Sequence, residues 1–440
     1  MPPTVTPTAA PRSERLWLEH WLNTVKDLSA LTKTHPMMDA VIEEIDGRMI
    51  RVGDHWLADF ASCNYLGFDL DREIIDAVPE YLDRWGTHPS WSRLLGSPRL
   101  YEDIEDQLTP LLGAEDTIVF PTITHIHMSV IPLLASSGTV YLDSRAHKTI
   151  YDGCQVARSH GAKVERFRFE DPEHLDELLS NDHRSGRFTR QGRPAPGRLI
   201  CMDGVNSMTG NAPDIRAFAA VARKHDALLY VDDAHGFGVV GERTDDETSP
   251  YGSRGNSVIR HFDETYENLI LVGGFSKAYS SLLAFIACPT EVKNLLKVAA
   301  PPYLYSGPSP VASLATVLEG LKVNETRGDQ LRGELHRHTA RVLDCLRRNN
   351  VGTPNRSGFP IVEIPLRHHE RISEVGQYLF DRGVYVTLAA FPLVPKPEVG
   401  FRAQLTSANT DEEVDMLISA IEELAARGEL TTADGSGPTG

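Results

Sequence analysis

Residues 228–236 read Leu-Leu-Tyr-Val-Asp-Asp-Ala-His-Gly, and residues 269–278 read Leu-Ile-Leu-Val-Gly-Gly-Phe-Ser-Lys-Ala. Each is an apolar, strand-forming run that stops abruptly at small, polar and reactive side chains. In a parallel α/β sheet such strand ends converge on one edge, where ligands bind. Asp232 and Lys277 lie 45 positions apart, one at each run's end. Brought together, a buried Asp and a Lys suit pyridoxal phosphate. The amine forms a Schiff base with the cofactor aldehyde, and the carboxylate keeps the pyridine nitrogen protonated so that the ring accepts electrons. The alternative is a strand-end Asp and a surface Lys in a loop. Ten lysines against thirty-four arginines make a chance Lys after a buried strand less frequent.

Outward from these runs, 440 residues exceed one hydrophobic core and imply two or three. The formal charge of −17 argues against nucleic acid or an anionic membrane as the main partner. An anionic cofactor therefore has to be held by local basic groups and backbone amides. Apolar runs are too short for a membrane span, and the Pro- and Thr-rich amino terminus lacks the pattern of a secretory signal. Cys63, Cys154, Cys201, Cys288 and Cys345 are scattered, without a CxxC. They read as reduced cytoplasmic thiols, neither a disulfide framework nor a metal site.

Strand patterns at 117–120, 139–142, 163–167, 198–202, 227–232, 268–272 and 284–288 alternate with helical ones, which predicts a mostly parallel sheet covered on both faces. An amphipathic helix is expected over 13–32, and Asp46-Gly47 marks a hairpin turn. A long helix over 311–349 leads into strands near 361–365, 384–387 and 401–406. The expected organisation is an N-terminal helix and hairpin segment (1–60), a large domain (61–310), a smaller C-terminal α+β domain (311–429) and a disordered tail (430–440). Residues 1–12 also read as disordered, and 183–197 and 242–256 as polar surface loops.

Four further segments bear on the chemistry. His147 follows a strand, where it would stack on a flat cofactor or simply satisfy a loop. Ser207 sits in a turn after a strand, within reach of a ring substituent or as local capping. Thr122-Ile123-Thr124 runs from a strand into a helix, whose first amides would hold a phosphate. Ser306 lies in a proline-fixed turn.

Taken in order, the segments resemble the α-oxoamine synthases, fold-type I pyridoxal phosphate enzymes. The resemblance runs from Asn64-Tyr-Leu-Gly67 through Ser92-Arg93-Leu-Leu-Gly96-Ser97, Asp143 to His147, Ser207-Met-Thr-Gly210, Asp232-Asp-Ala-His235-Gly and Ser276-Lys277 to Arg402. It implies an α/β fold with a seven-stranded, mostly parallel sheet in the large domain. It also implies Lys277 as the covalent and proton-shuttling amine, Asp232 on the pyridinium nitrogen and His235 on the ring hydroxyl. Ser207 would face the ring and His147 stack on it. Arg402 would bind the amino-acid carboxylate, Asn64 line the substrate side, and Ser276 stand beside the cofactor. The phosphate would rest on Thr122, Ile123 and Thr124, with Ser306 contributed across a homodimer boundary.

The chain departs from that family at the phosphate turn, where Ser-Gly-aromatic is usual and Thr122-Ile123-Thr124 stands, with His127 in place of Asn. A β-branched Ile restricts such a turn and excludes positive φ. Leu283-Ala284 replace Gly-Gly, and Gly307 replaces Thr. The reaction implied is a decarboxylative Claisen condensation of an α-amino acid with an acyl thioester, carried on CoA or an acyl carrier protein. His125 and His127 are further acid–base candidates, or pack in the sheet. A related pyridoxal phosphate reaction, a silent partner subunit and a binding module without the cofactor remain the competing readings.

Overall fold

The computed structural model describes residues 16–183, 197–247 and 249–434. The expected disorder of 1–12 and most of the loop over 183–197 lie outside the described residues, as do residues 435–440 of the tail. Thirteen strands are named here in chain order. β1 is Glu44–Asp46, β2 Met49–Val52 and β3 His55–Phe60. β4 is Asp116–Phe120, β5 Thr139–Asp143, β6 Lys163–Phe167, β7 Arg198–Asp203, β8 Leu228–Asp232, β9 Leu269–Gly274 and β10 Ala284–Cys288. β11 is Ile361–Pro365, β12 Val384–Ala389 and β13 Gly400–Gln404.

β4 to β10 form one seven-stranded sheet in the order β4-β10-β9-β8-β7-β5-β6. β5 to β9 are parallel to one another, whereas β10 runs antiparallel to both β4 and β9. These are the seven strands expected from the apolar runs. Burial on both faces is why the inner strands read as continuous apolar segments: β9 and β10 are buried at every position, whereas edge strand β6 is half exposed.

A second, six-stranded sheet has the order β1-β2-β3-β12-β13-β11. β3 pairs parallel with β12, so the N-terminal strands and the C-terminal strands build one layer. The hairpin forms one residue later than the Asp46-Gly47 reading. Asp46 pairs with Met49, and the two loop residues are Gly47 and Arg48. Gly47, at φ +57°, takes the first loop position, where a left-handed backbone is needed. The helix expected over 13–32 is broken at Val25 into Leu16–Thr24 and Lys26–Thr34. Thr24 and Val25 are β-branched and weaken a helix where they adjoin.

Helix Val311–Arg348 spans 38 residues and packs against helices Arg72–Trp85 and Arg99–Leu112. It carries the chain from the large sheet to the small one. Helix Asp411–Ala426 follows the small sheet and opens with a capping box between Thr410 and Glu413. Leu430 and Thr432, inside the tail expected to be unstructured, form bridges to Leu366 and Val351. All five cysteines are free. Among the described residues no helix is long and apolar enough to cross a membrane.

Candidate active site

The parallel strands β5, β7, β8 and β9 end on one edge of the large sheet, and the turn after β4 reaches the same place. There they enclose a cavity of about 280 Å³ lined by Thr122, Ile123, Thr124, His147, Ser207, Asp232, His235, Ser276 and Lys277. All nine were expected at a common site. A second cavity of about 690 Å³ shares His147, Ser207, His235 and Lys277, and adds Arg402 from β13. Asn64 and Ser306 line neither cavity. The Asn64 amide donates to Asp69 at 2.9 Å. Ser306 stands in a turn whose Tyr305 is 81% exposed.

The turn after β4 tolerates Ile123 because it never enters the left-handed region. Thr122 is extended at φ −151°, ψ 155°, and caps helix Ile123–Ala135 through its hydroxyl, which accepts the His125 N–H. The restriction feared from a β-branched residue therefore falls on a helical position. Ile123 packs over Gly274 at the end of β9, where an added Cβ would meet its Cδ1 at 2.6 Å. The amides ahead of His125 belong to the unpaired first turn of a 13-residue helix, which favours an anion.

Asp232 ends β8 with both carboxylate oxygens engaged. Oδ1 accepts the Ala234 N–H at 3.0 Å, and Oδ2 lies 2.9 Å from His127 Nε2. Burial pushes its carboxyl up, but His127 and Lys277 more than offset this and hold it below the usual range. Burial and then Lys277 hold the His235 imidazole well below its ordinary value, so it is neutral. Its Nδ1 is bonded to the Tyr65 hydroxyl at 2.7 Å, which leaves the other ring nitrogen for the cavity. His147 caps helix Lys148–Ser159, its Nδ1 accepting from Thr149, and burial lowers its imidazole. Asp203 is the register partner of Asp232 on β7, and burial together with the Asp232 charge pushes its carboxyl well up. Arg402 donates from Nη1 to the Ser207 carbonyl oxygen, which ties the small sheet to the cavity wall.

Tyr65, Asp203 and Tyr230 were not read from the sequence as site residues. Tyr65 adjoins Asn64 in a segment that was recognised, but its partner is 170 positions away. Asp203 carried a visible signal, an acid ending an apolar strand, as Asp232 does. His127 was weighed as an acid–base candidate and instead lies fully buried behind Asp232, while His125 is exposed on the helix surface.

The model of the family Aminotransferase class I and II matches residues 57–421. A serine palmitoyltransferase of Caulobacter vibrioides is 30% identical over 366 residues, 82% of this chain and 84% of the relative. An 8-amino-7-oxononanoate synthase of Chromohalobacter salexigens is 32% identical over 367 residues, 82% of this chain and 88% of that one. Among solved structures, a Sphingomonas wittichii serine palmitoyltransferase superposes with a TM-score of 0.81 at 25% identity, covering 95% of this chain and 98% of that one. A structure of SPT with PLP superposes at TM-score 0.80 and 24% identity, covering 94% and 98% of the two chains.

Proposed function

Because the chain belongs to the aminotransferase class I and II family, among its α-oxoamine synthases, we propose that it condenses an α-amino acid with an acyl thioester, with loss of carbon dioxide, to give an α-aminoketone. It is a pyridoxal-phosphate-dependent acyltransferase. The decarboxylation, the individual residue roles and the oligomer belong to our reading. The observation that carries it is the convergence of Lys277, Asp232, His147 and His235 on one cavity beside a helix amino terminus.

The donors there fit the cofactor. A protonated ring nitrogen requires an ionised carboxylate, and Asp232 is held ionised although buried. A ring hydroxyl oxygen requires a neighbour with an uncommitted nitrogen, and His235 keeps one. A phosphate is suited by the first-turn amides at Ile123 and Thr124, and the aldehyde by the Lys277 amine. Ser207 and Ser276 line the same cavity and supply hydroxyls to its wall.

When bound, pyridoxal phosphate supplies an aldehyde for amine exchange and a ring that withdraws negative charge from the substrate's α-carbon. The chain's own groups do the rest. The Lys277 amine, once free, would take the substrate's α-proton and later return one. Asp232, held ionised, would pair with the cofactor's ring nitrogen and keep it cationic, the preorganised role that stabilises a transition state. Arg402 offers its remaining donors to the substrate carboxylate, and neutral His147 faces the same cavity. The larger cavity gives the acyl thioester its approach, and its thiol leaves by the same opening.

Incubating the purified protein with amino acids and acyl thioesters, on CoA and on acyl carrier protein, tests this reading through released thiol and carbon dioxide. Both are expected, and both vanish in Lys277→Ala. Thiol without carbon dioxide refutes the decarboxylative step. The chain acts as a homodimer on this reading, the exposed Tyr305-Ser306 turn completing a neighbour's site. A sedimenting monomer that binds the cofactor at full strength would contradict it.

A further inference from the structure

β7 and β8 are parallel neighbours, and Asp203 is the register partner of Asp232. Two carboxyl groups therefore end side by side at the floor of one cavity. Asp232 is buried and Asp203 half-buried, and two like charges on neighbouring strand ends of one cavity cannot both be held cheaply, so one of the pair carries the negative charge. Their partners differ. Asp203 accepts the His147 N–H at 3.1 Å and the Asn206 amide at 3.2 Å. Asp232 accepts the Ala234 N–H and meets a ring nitrogen of His127, which is 0% exposed.

The other His127 nitrogen, Nδ1, lies 2.8 Å from the hydroxyl of Tyr230, also 0% exposed. Tyr230 and Asp232 are two apart on one strand and share a face, so one imidazole on helix Ile123–Ala135 spans both. Counting hydrogens decides the polarity. With Tyr230 O–H donating to Nδ1, Nε2–H donates to Asp232 Oδ2, and every hydrogen along the chain has an acceptor. The Tyr230 phenol is kept un-ionised by burial, and the Asp232 charge adds to that.

We propose that Tyr230 and His127 are positioning residues whose donor chain assigns the negative charge of the Asp203–Asp232 pair to Asp232. The remaining charged groups near that carboxylate are Lys277 and His147 on the cavity side and Asp233 at the next position, on the opposite side. Asp233 is fully buried and accepts the Val258 N–H at 2.9 Å on its own side of the strand. Lys277 and His147 face the cavity, whereas His127 acts from behind and holds the carboxylate whether or not a ligand is present. The inference rests on the cofactor reading, because a charged Asp232 is needed opposite a pyridinium nitrogen.

The test is cofactor affinity, measured by adding pyridoxal phosphate to the full-length protein stripped of it and following visible absorbance from pH 6.5 to 8.5. In His127→Leu the affinity falls by about tenfold or more, the size of one lost hydrogen bond to a charge. The pH below which binding weakens moves upward. Adding Asp203→Asn to His127→Leu recovers binding, since one carboxyl is then free of its rival. Tyr230→Phe removes only a hydroxyl and gives a smaller loss, about threefold, with the same upward shift. His127→Leu that binds as the wild type does overturns the proposal, as does a double variant that fails to recover. Should His127→Leu not fold, an unchanged pH profile in Tyr230→Phe overturns it equally. A wild-type protein that takes up no pyridoxal phosphate refutes the function itself, a result separable from unchanged variants.

Discussion

Glu363→Gln is predicted to stabilise the protein, increasingly so as pH rises. Glu363 lies on β11 as the register partner of Arg402 on β13, so the two side chains share a face of the small sheet. Arg402 commits its Nη1 to the Ser207 carbonyl, and Glu363 Oε1 is buried without a hydrogen-bond partner. Burial raises the Glu363 carboxyl from its ordinary 4.5 to about 7, nearby Glu398 adds to this, and Arg145 and Arg402 oppose it. A folded-state value above the unfolded one means stability that is complete below about 4.5 and lost as pH climbs through about 7. At about 1.4 kcal/mol per unit, the loss approaches about 3 kcal/mol. A Gln at this position stays neutral throughout. Urea unfolding of wild type and variant should therefore differ by under about 1 kcal/mol at pH 5 and by about 3 kcal/mol at pH 8. A difference that does not change with pH, or a variant less stable than wild type at pH 8, refutes this account of Glu363.

Arg402→Lys exchanges a planar fork for a point charge and should raise KM for the amino acid by about tenfold or more, with little effect on KM for the thioester; equal changes in both would detach Arg402 from the carboxylate. Because burial holds the His147 imidazole below its ordinary value, kcat/KM should stay level as pH falls to about 6.5 and drop only below it; an acid limb centred above that value would contradict a neutral His147. Gly210→Ala should destabilise by about 2 kcal/mol or more, since Gly210 sits at φ +68° and an added Cβ would lie 2.4 Å from the Ile361 carbonyl oxygen; thermal unfolding at the wild-type midpoint would argue against a strained contact there.

What could be read in the sequence was whatever depends on local periodicity. The inner strands of the large sheet were visible because burial on both faces leaves few polar positions to interrupt them, whereas the edge strand β6 carries exposed Lys163 and Arg166. β3 escaped notice: His55-Trp-Leu-Ala-Asp-Phe60 has no clean alternation, and its parallel partner β12 is more than 300 residues away. The partners of His127 were hidden for the same reason, since Tyr230 and Asp232 lie 103 and 105 positions distant. Nothing local to Ile123-Thr-His-Ile-His127 distinguishes a histidine aimed at solvent from one holding a carboxylate. Helix periodicity separates His125 from His127, but only the packed sheet says which face is inside.

The motif Asp232-Asp-Ala-His-Gly236 shows how far a pattern carries and where packing takes over. Asp233 follows the end of β8 and still pairs through its N–H with Val272, so the two acids point to opposite sides, yet the dipeptide does not say which of them meets the cavity. The fold answers through crowding. Asp233 is fully buried, and Cβ atoms added to Gly204 and Gly236 would approach its Oδ1 within 2.7 and 2.0 Å. Gly236 is therefore needed for the space Asp233 occupies, and the Asp233 carboxyl secures the segment after β8 by accepting the Val258 N–H. With that side of the strand filled, Asp232 takes the other side, which opens on Lys277 and is backed by His127. Half of the motif is architecture that turns the other half toward the chemistry, and a substitution at Gly236 should displace Asp232 without touching it.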